Sequence, residues 1–362
     1  MADTQQQVAI VGCGIIGRTH ADTIAARPDA TVTALVDSDA GAREALAARL
    51  KEAGQPEPTL YDDLTAALSG SDVSLVAICT PSGTHAALAE QALEEKKHVV
   101  IEKPLDVDLT RARRLGAAAT RAASHGVVSS VISQHRFDGG SAVVKQAIDA
   151  GRFGQLTSSV ATVAWWRSDE YYASAGWRGT WAQDGGGALM NQGVHTVDLM
   201  LWFMGRPVSI QAQALRAAHH AIEVEDTVVA TITFESGAVG TLHATTAAFP
   251  GGRTRVSVHG TAGGAEVEDD RLSRLNVDGV KDDAPIDDSG PGGHKAQYDD
   301  IFGAIAGGQQ PGITVQDAID ALATVRAVYI ASTLQRPVKF LDVLEGRYDD
   351  VEVSRGVGLP PN

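Results

Sequence analysis

The apolar run Val8–Val11 leads into Gly12, Gly14 and Gly17, three glycines in G-x-G-x-x-G spacing at the head of a helical segment from Ile15 to about Ala26. A second apolar run, Val32–Val36, ends on Asp37. That order is the one a βαβ dinucleotide site requires. Gly12 lets the chain turn sharply off the strand. Gly14 puts no Cβ between backbone and pyrophosphate, and Gly17 lets helix and sheet approach closely. Ile15 and Ile16 open the helix, whose N-terminus offers unpaired N–H groups and a partial positive charge to phosphate. Asp37 stands twenty residues beyond Gly17, placed to accept hydrogen bonds from both ribose hydroxyls. Its carboxylate would repel a 2′-phosphate, so NAD is favoured over NADP, although Ser38 and Arg43 could tolerate that group.

Proton chemistry has two candidate centres. Lys103 follows the apolar run His98–Ile101 directly, in Glu102-Lys103-Pro104. Partial burial and the cationic ring of oxidised NAD both disfavour an ammonium there. Its pKa should fall toward a range useful for taking an alcohol's proton while hydride leaves the same carbon. The plainer reading is a surface lysine at a strand end. Glu102 could pair with Lys103, face the cofactor or point into solvent. The second centre lies in DGGGALMNQGVHTVD, Asp184 to Asp198. Its glycines would let backbone approach a ligand, and Asn191, His195 and Asp198 at i, i+4 and i+7 would share a helical face. His195 would hydrogen-bond a substrate hydroxyl or relay its proton; the alternative is a core histidine satisfied by Asp198. Four of the five tryptophans fall between Trp165 and Trp181, interleaved with Arg167, Tyr171 and Arg178. They suit either a sugar pocket or packing and oligomer contacts. His294 is a further pocket candidate. His219-His220 has no partner at metal spacing and reads as solvated, so no metal site is expected.

These residues need a scaffold. Helices are expected at Ala40–Ala53, Tyr61–Leu68, His85–Lys96 and Thr110–His125. They alternate with strands at Val73–Cys79, His98–Ile101 and Val127–Ser130, a pattern that predicts a doubly wound parallel Rossmann sheet over residues 1–130. Asp37, Thr80 and Lys103 all lie just past strand ends, where such sheets bind ligands. Residues 131–362 read as an α+β domain with a large, mostly antiparallel open sheet. Its strands are expected at Leu156–Ala164, Val208–Leu215, Asp226–Phe234, Ala238–Ala247 and Thr254–His259, and its helices at Ser141–Ala150, Gly187–Met204, Lys295–Ala306 and Thr314–Gln335. Net charge is −15 over 362 residues, which opposes binding to nucleic acid and anionic membranes. The acid concentrates partly in Glu266–Asp270 and Lys281–Asp288, read as solvated loops. No export signal or spanning segment is visible. Cys13 and Cys79 read as reduced packing residues, and a cytoplasmic protein is expected.

The glycine turn GCGIIG, the EKP at 102–104, Thr80-Pro81-Ser82-Gly83-Thr84-His85, Gln134-His135-Arg136-Phe137 and GGGALMNQGVHTVDLM together resemble the Gfo/Idh/MocA oxidoreductases. The resemblance implies NAD(P)-dependent oxidation or reduction of a small-molecule sugar, sugar derivative or cyclitol by a homodimer or homotetramer. It makes Lys103 the catalytic lysine, with Lys103–Pro104 often cis, and His195 the substrate-side histidine. Thr80, Pro81 and His85 would line the nicotinamide. Inositol dehydrogenase-like members carry Asp where this chain has Asn191, and an amide cannot accept a proton. Proton transfer would then rest on Lys103, with His195 assisting. Two rivals share the fold: a glycoside hydrolase that recycles bound NAD, and a non-catalytic NAD-binding regulator.

Overall fold

The structure, a computed structural model, describes residues 5–277 and 292–356; the acidic stretch Lys281–Asp288 lies outside the described residues. The chain divides into two units. One holds Met1–Asp106, Arg111–Ile132 and Gln297–Gln316; the other holds Val107–Thr110, Ser133–Ala296 and Asp317–Asn362.

In the first unit six parallel strands, β1 (Gln6–Val11), β2 (Ala30–Val36), β3 (Thr59–Tyr61), β4 (Leu75–Ile78), β5 (His98–Ile101) and β6 (Ser129–Val131), lie in the order β3-β2-β1-β4-β5-β6. This is the strand order of a dinucleotide-binding sheet. Every residue of β4 is buried, as a parallel sheet covered on both faces demands. The helix expected over Tyr61–Leu68 begins instead at Leu64. Leu60 and Tyr61 pair with β2, and the Asp63 side chain caps the helix by accepting from the Ala66 N–H at 2.8 Å.

Residues 297–316 correct the expected partition, which placed them in the C-terminal domain. Tyr298, Ile301 and Phe302 are buried in one core with Ile10, Leu35 and Val100. The Gln297 amide donates to the Val131 carbonyl at 2.7 Å. Burial of each such apolar side chain stabilises by about 1.5–3 kcal/mol. The helical periodicity of this segment was visible, but periodicity does not say which core a helix joins.

The second unit carries eight strands: β7 (Leu156–Ala164), β8 (Pro207–Leu215), β9 (Thr227–Phe234), β10 (Val239–Thr245), β11 (Thr254–Gly260), β12 (Gly263–Glu268), β13 (Arg271–Val277) and β14 (Val338–Lys339). Their order is β13-β12-β11-β7-β10-β9-β8-β14, antiparallel except where β10 runs parallel to β7. Glu266–Glu268 belongs to β12 rather than to a loop. Burial alternates along β8, β9 and the first half of β10; the outward set includes the exposed Val208, Val229 and Val239. No described helix is long and apolar enough to cross a membrane.

Candidate active site

The glycine turn of the first unit is shaped by contacts that only glycine permits. Gly12 adopts φ +97°, and a Cβ there would come within 2.6 Å of the Cys79 carbonyl oxygen. A Cβ on Gly17 would lie 1.9 Å from the Gly12 carbonyl oxygen. At Gly14 the same Cβ would meet nothing within 4 Å. The helix Ile15–Ala25 has no capping side chain and no acidic residue in its first turn, so its N–H groups and positive dipole end are left for a ligand. Ile15 is exposed and Ile16 half-buried beside it. The Asp37 carboxylate, at the end of β2, accepts from the Cys13 N–H at 2.7 Å and the Asp39 N–H at 3.0 Å. Arg43 donates to the Asp37 carbonyl and pairs with Asp62 at 2.7 Å, and Ser38 is exposed. The open volume off Gly14, the uncapped helix and the carboxylate beyond it fit a dinucleotide.

Lys103 leaves β5 half-buried, and the Lys103–Pro104 bond is cis, as the resemblance implied. Glu102, expected at the cofactor, is buried and turned inward instead. One of its oxygens lies 2.8 Å from His20 Nε2 and the other accepts the Lys103 N–H at 3.0 Å. His20 Nδ1 is 2.6 Å from the Tyr298 hydroxyl, and burial holds that phenol's pKa well above its usual value. The network ties the helix after the glycine turn to the main chain of Lys103. His85 is likewise a brace rather than a lining residue. It is buried, with Nδ1 2.8 Å from the Pro104 carbonyl and Nε2 2.7 Å from that of Thr80. Thr80 is half-buried and Pro81 exposed.

In the second unit the segment expected as one helix is two. Ala188–Gly193 forms a π-helical turn, and Val194–Met204 continues as α-helix. The start of the π turn is held by Glu225, a residue the sequence pattern does not announce. Its carboxylate accepts from the Gly187 and Leu189 N–H groups at 2.8 and 2.9 Å and from the Tyr329 hydroxyl at 2.9 Å. Burial raises the Glu225 pKa to about 7 against the pull of those donors. The three glycines serve this packing, not a ligand: a Cβ would strike Val107 from Gly185, Tyr329 from Gly186 and the Glu225 carbonyl from Gly187. The expected polar stripe is also corrected. Asp198 is buried against Arg136 at 2.6 and 2.8 Å, because the π turn breaks the 3.6-residue register that would have aligned it with Asn191. The Asn191 amide donates to Asp184 at 2.5 Å.

His195 stays half-buried at the helix start. It lines a cleft of about 150 Å³ with His135, Trp165, Gln192, Thr254 and Asp270. The His135 ring stands edge-on to it, centroids 4.8 Å apart. Burial would depress the His135 pKa, but the hydrogen bonds its ring donates to the Asp138 and Asp270 carboxylates outweigh that and raise it to about 9. Gln192 joins the cleft to the tryptophan-rich segment: it accepts from Arg167 at 3.0 Å and donates to the Tyr171 hydroxyl at 2.9 Å. Arg178 donates to the same hydroxyl at 2.7 Å. His219, read as solvated, is buried between Asp226 Oδ2 at 3.0 Å and the Arg167 carbonyl at 2.7 Å, which raises its pKa. His294 is half-buried in the first turn of the helix Gly293–Gly307.

The parallel sheet, the glycine turn and the acid at the end of β2 define a dinucleotide-binding protein. Residues 6–131 match the oxidoreductase family with NAD-binding Rossmann fold, and residues 141–266 match the GFO/IDH/MocA C-terminal domain. Inositol 2-dehydrogenase of Rhizobium meliloti (strain 1021) is 29% identical over 273 residues, which span 74% of this chain and 77% of that one. Levoglucosan dehydrogenase of Pseudarthrobacter phenanthrenivorans is 27% identical, spanning 76% and 77%. The crystal structure of the WlbA dehydrogenase from Chromobacterium violaceum, in complex with NADH and UDP-GlcNAcA, superposes with a TM-score of 0.85 at 29% identity, over 94% of this chain and 97% of that one. The chain belongs to the Gfo/Idh/MocA family and is an NAD-binding oxidoreductase.

Proposed function

We propose that this protein oxidises a secondary hydroxyl of a sugar, sugar derivative or cyclitol, with Lys103 as general base. The observation that carries the reading is a half-buried lysine whose own N–H is gripped by a buried carboxylate, in the same unit as an open glycine turn and Asp37. Gly12, Gly14, Gly17 and Asp37 would hold NAD, which supplies the hydride acceptor when bound. Lys103 takes the hydroxyl proton. His195 and Asn191 orient the substrate's hydroxyls, and orientation supplies much of the rate. The Asn191 amide is engaged with Asp184 and cannot accept a proton, which leaves that step to Lys103. Relatives named inositol 2-dehydrogenase and levoglucosan dehydrogenase support the substrate class.

The test is NADH appearance with NAD and a panel of inositols, aldoses, sugar acids and nucleotide-linked sugars. Lys103→Met should lower turnover by roughly 10²–10⁴-fold while calorimetry finds NAD affinity unchanged. Full turnover in that variant would remove Lys103 from the mechanism. NAD binding without NADH from any substrate would favour the recycling hydrolase or the regulator.

A further inference from the structure

Arg167 and Arg178 enclose one phenol. The Arg167 guanidinium carbon lies 4.9 Å from the Tyr171 ring centroid and 4.9 Å from that of Trp165. That of Arg178 lies 4.5 Å from Tyr171 and 4.4 Å from Trp177. Both have a buried Nε without a hydrogen-bond partner. Among the described residues neither forms an ion pair, whereas Arg136 of the same unit is held between Asp198 and Asp317. Two cations gathered on one ring repel each other, and desolvation adds to the penalty unless an anion completes the set.

The surroundings show a built receptor rather than two loose surface arginines. The Arg167 N–H donates to the Thr246 carbonyl at 2.9 Å, and its own carbonyl accepts from His219. Asp226 fixes His219 in turn, accepting from its ring and from the N–H groups of Ala217, Ala218 and His219. Aromatic rings cover the guanidinium faces and leave the N–H edges as donors, the geometry that grips planar or tetrahedral oxyanions. Gln192 bonds both Arg167 and Tyr171 and also lines the cleft of His195. An anion held by the arginines would therefore belong to a molecule that reaches His195.

We propose that Arg167 and Arg178 form a receptor for an anionic oxyacid group, carboxylate or phosphate, on the sugar that this protein oxidises. The inference rests on the sugar-dehydrogenase reading above and narrows its substrate class to sugar acids, sugar phosphates or nucleotide-linked sugars. Neutral cyclitols become the poorer substrates.

The experiment titrates the NAD-saturated protein with D-glucuronate, glucose 6-phosphate, UDP-glucose, D-glucose and myo-inositol, read by calorimetry. At least one anionic ligand should bind about tenfold or more tightly than its neutral counterpart, the worth of one charge-assisted hydrogen bond. The arm that responds tells carboxylate from phosphate. Raised salt should weaken that binding, and R167Q and R178Q should each erase the preference. Equal affinity for neutral and anionic ligands in the wild-type protein overturns the proposal, whatever the variants do. So does a preference that survives in both variants. Anion binding with no NADH from any ligand would keep the receptor and sink the dehydrogenase reading. NADH from a neutral sugar, with kcat/KM unmoved by R167Q, would do the reverse.

Discussion

Alanine at Gly14 and alanine at Gly17 should separate cofactor binding from folding. Gly14 has φ −69° and ψ −162°, open to any L-residue, and a methyl there touches nothing within 4 Å. Replacing glycine removes unfolded-state entropy, a gain of about 0.4–1 kcal/mol. Alanine is also a poorer N-cap than glycine, by a similar amount of about 0.5–1 kcal/mol. The two offset, so cofactor-free stability should hardly move. NAD is another matter under the proposed function, which has pyrophosphate approach the helix N–H groups at the point where the methyl would stand. Losing one or two charge-assisted hydrogen bonds at about 1.5–3 kcal/mol each raises Kd by roughly ten- to a thousandfold or more. At Gly17 the methyl would sit 1.9 Å from the Gly12 carbonyl oxygen, so helix and turn must part by more than an ångström. Overpacking of this kind costs about 1–3 kcal/mol and often more when backbone meets backbone. Calorimetric unfolding without cofactor and titration with NAD read the two quantities separately. If G14A lowers Tm as much as G17A, or binds NAD like the wild type, the assignment of the open space to pyrophosphate is wrong.

Asp198→Ala strands Arg136 in the core with Asp317 alone, and should cost about 3–5 kcal/mol in urea unfolding; D198A/R136M should recover much of that loss. Glu225 binds its proton more tightly folded, with a pKa of about 7, than its ordinary 4.5. Its contribution is therefore present below the unfolded value and lost as pH rises through the folded one. Glu225→Gln should flatten that part of the stability–pH profile. It should also cost about 1–3 kcal/mol, because Gly187, Leu189 and Tyr329 all present donors and an amide nitrogen accepts from none. An unchanged slope between 4.5 and 7 in E225Q would show that another group titrates there.

The first βαβ unit was legible because each of its requirements is local. Strand, glycine spacing, helix and the terminal acid lie within thirty residues, Val8 to Asp37. The antiparallel strands were likewise readable from alternation, down to the bounds of β7. What failed depended on partners from afar. The Glu102–His20–Tyr298 network joins residues 82 and 278 positions apart. The triple glycine looked like a ligand loop because a glycine makes room without saying for what. Val107, Tyr329 and Glu225 fill that room, and no local pattern announces any of them. The helical arithmetic that aligned Asp198 with Asn191 assumed 3.6 residues per turn across a segment that is partly π-helical.

One device recurs around these sites. A buried or half-buried side chain takes hold of main chain beside a residue to which the proposed function gives a role. Glu102 accepts the N–H of Lys103 itself, Glu225 those of Gly187 and Leu189 ahead of Asn191 and His195, and Asp37 that of Cys13 in the glycine turn. His219 donates to the carbonyl of Arg167. Gripping backbone fixes the Cα and its direction while leaving the functional side chain to project, which a bond to the side chain itself would not do. In sequence such acids look like any others. Glu223 and Glu225 are two residues apart, yet Glu223 is exposed while Glu225 is fully buried and organises the turn before His195. The difference is burial, decided by where Tyr329 and the glycines fall in three dimensions. Substituting Glu225 with Gln should therefore displace Asn191 and His195 without removing either side chain, lowering kcat if the roles proposed for them hold.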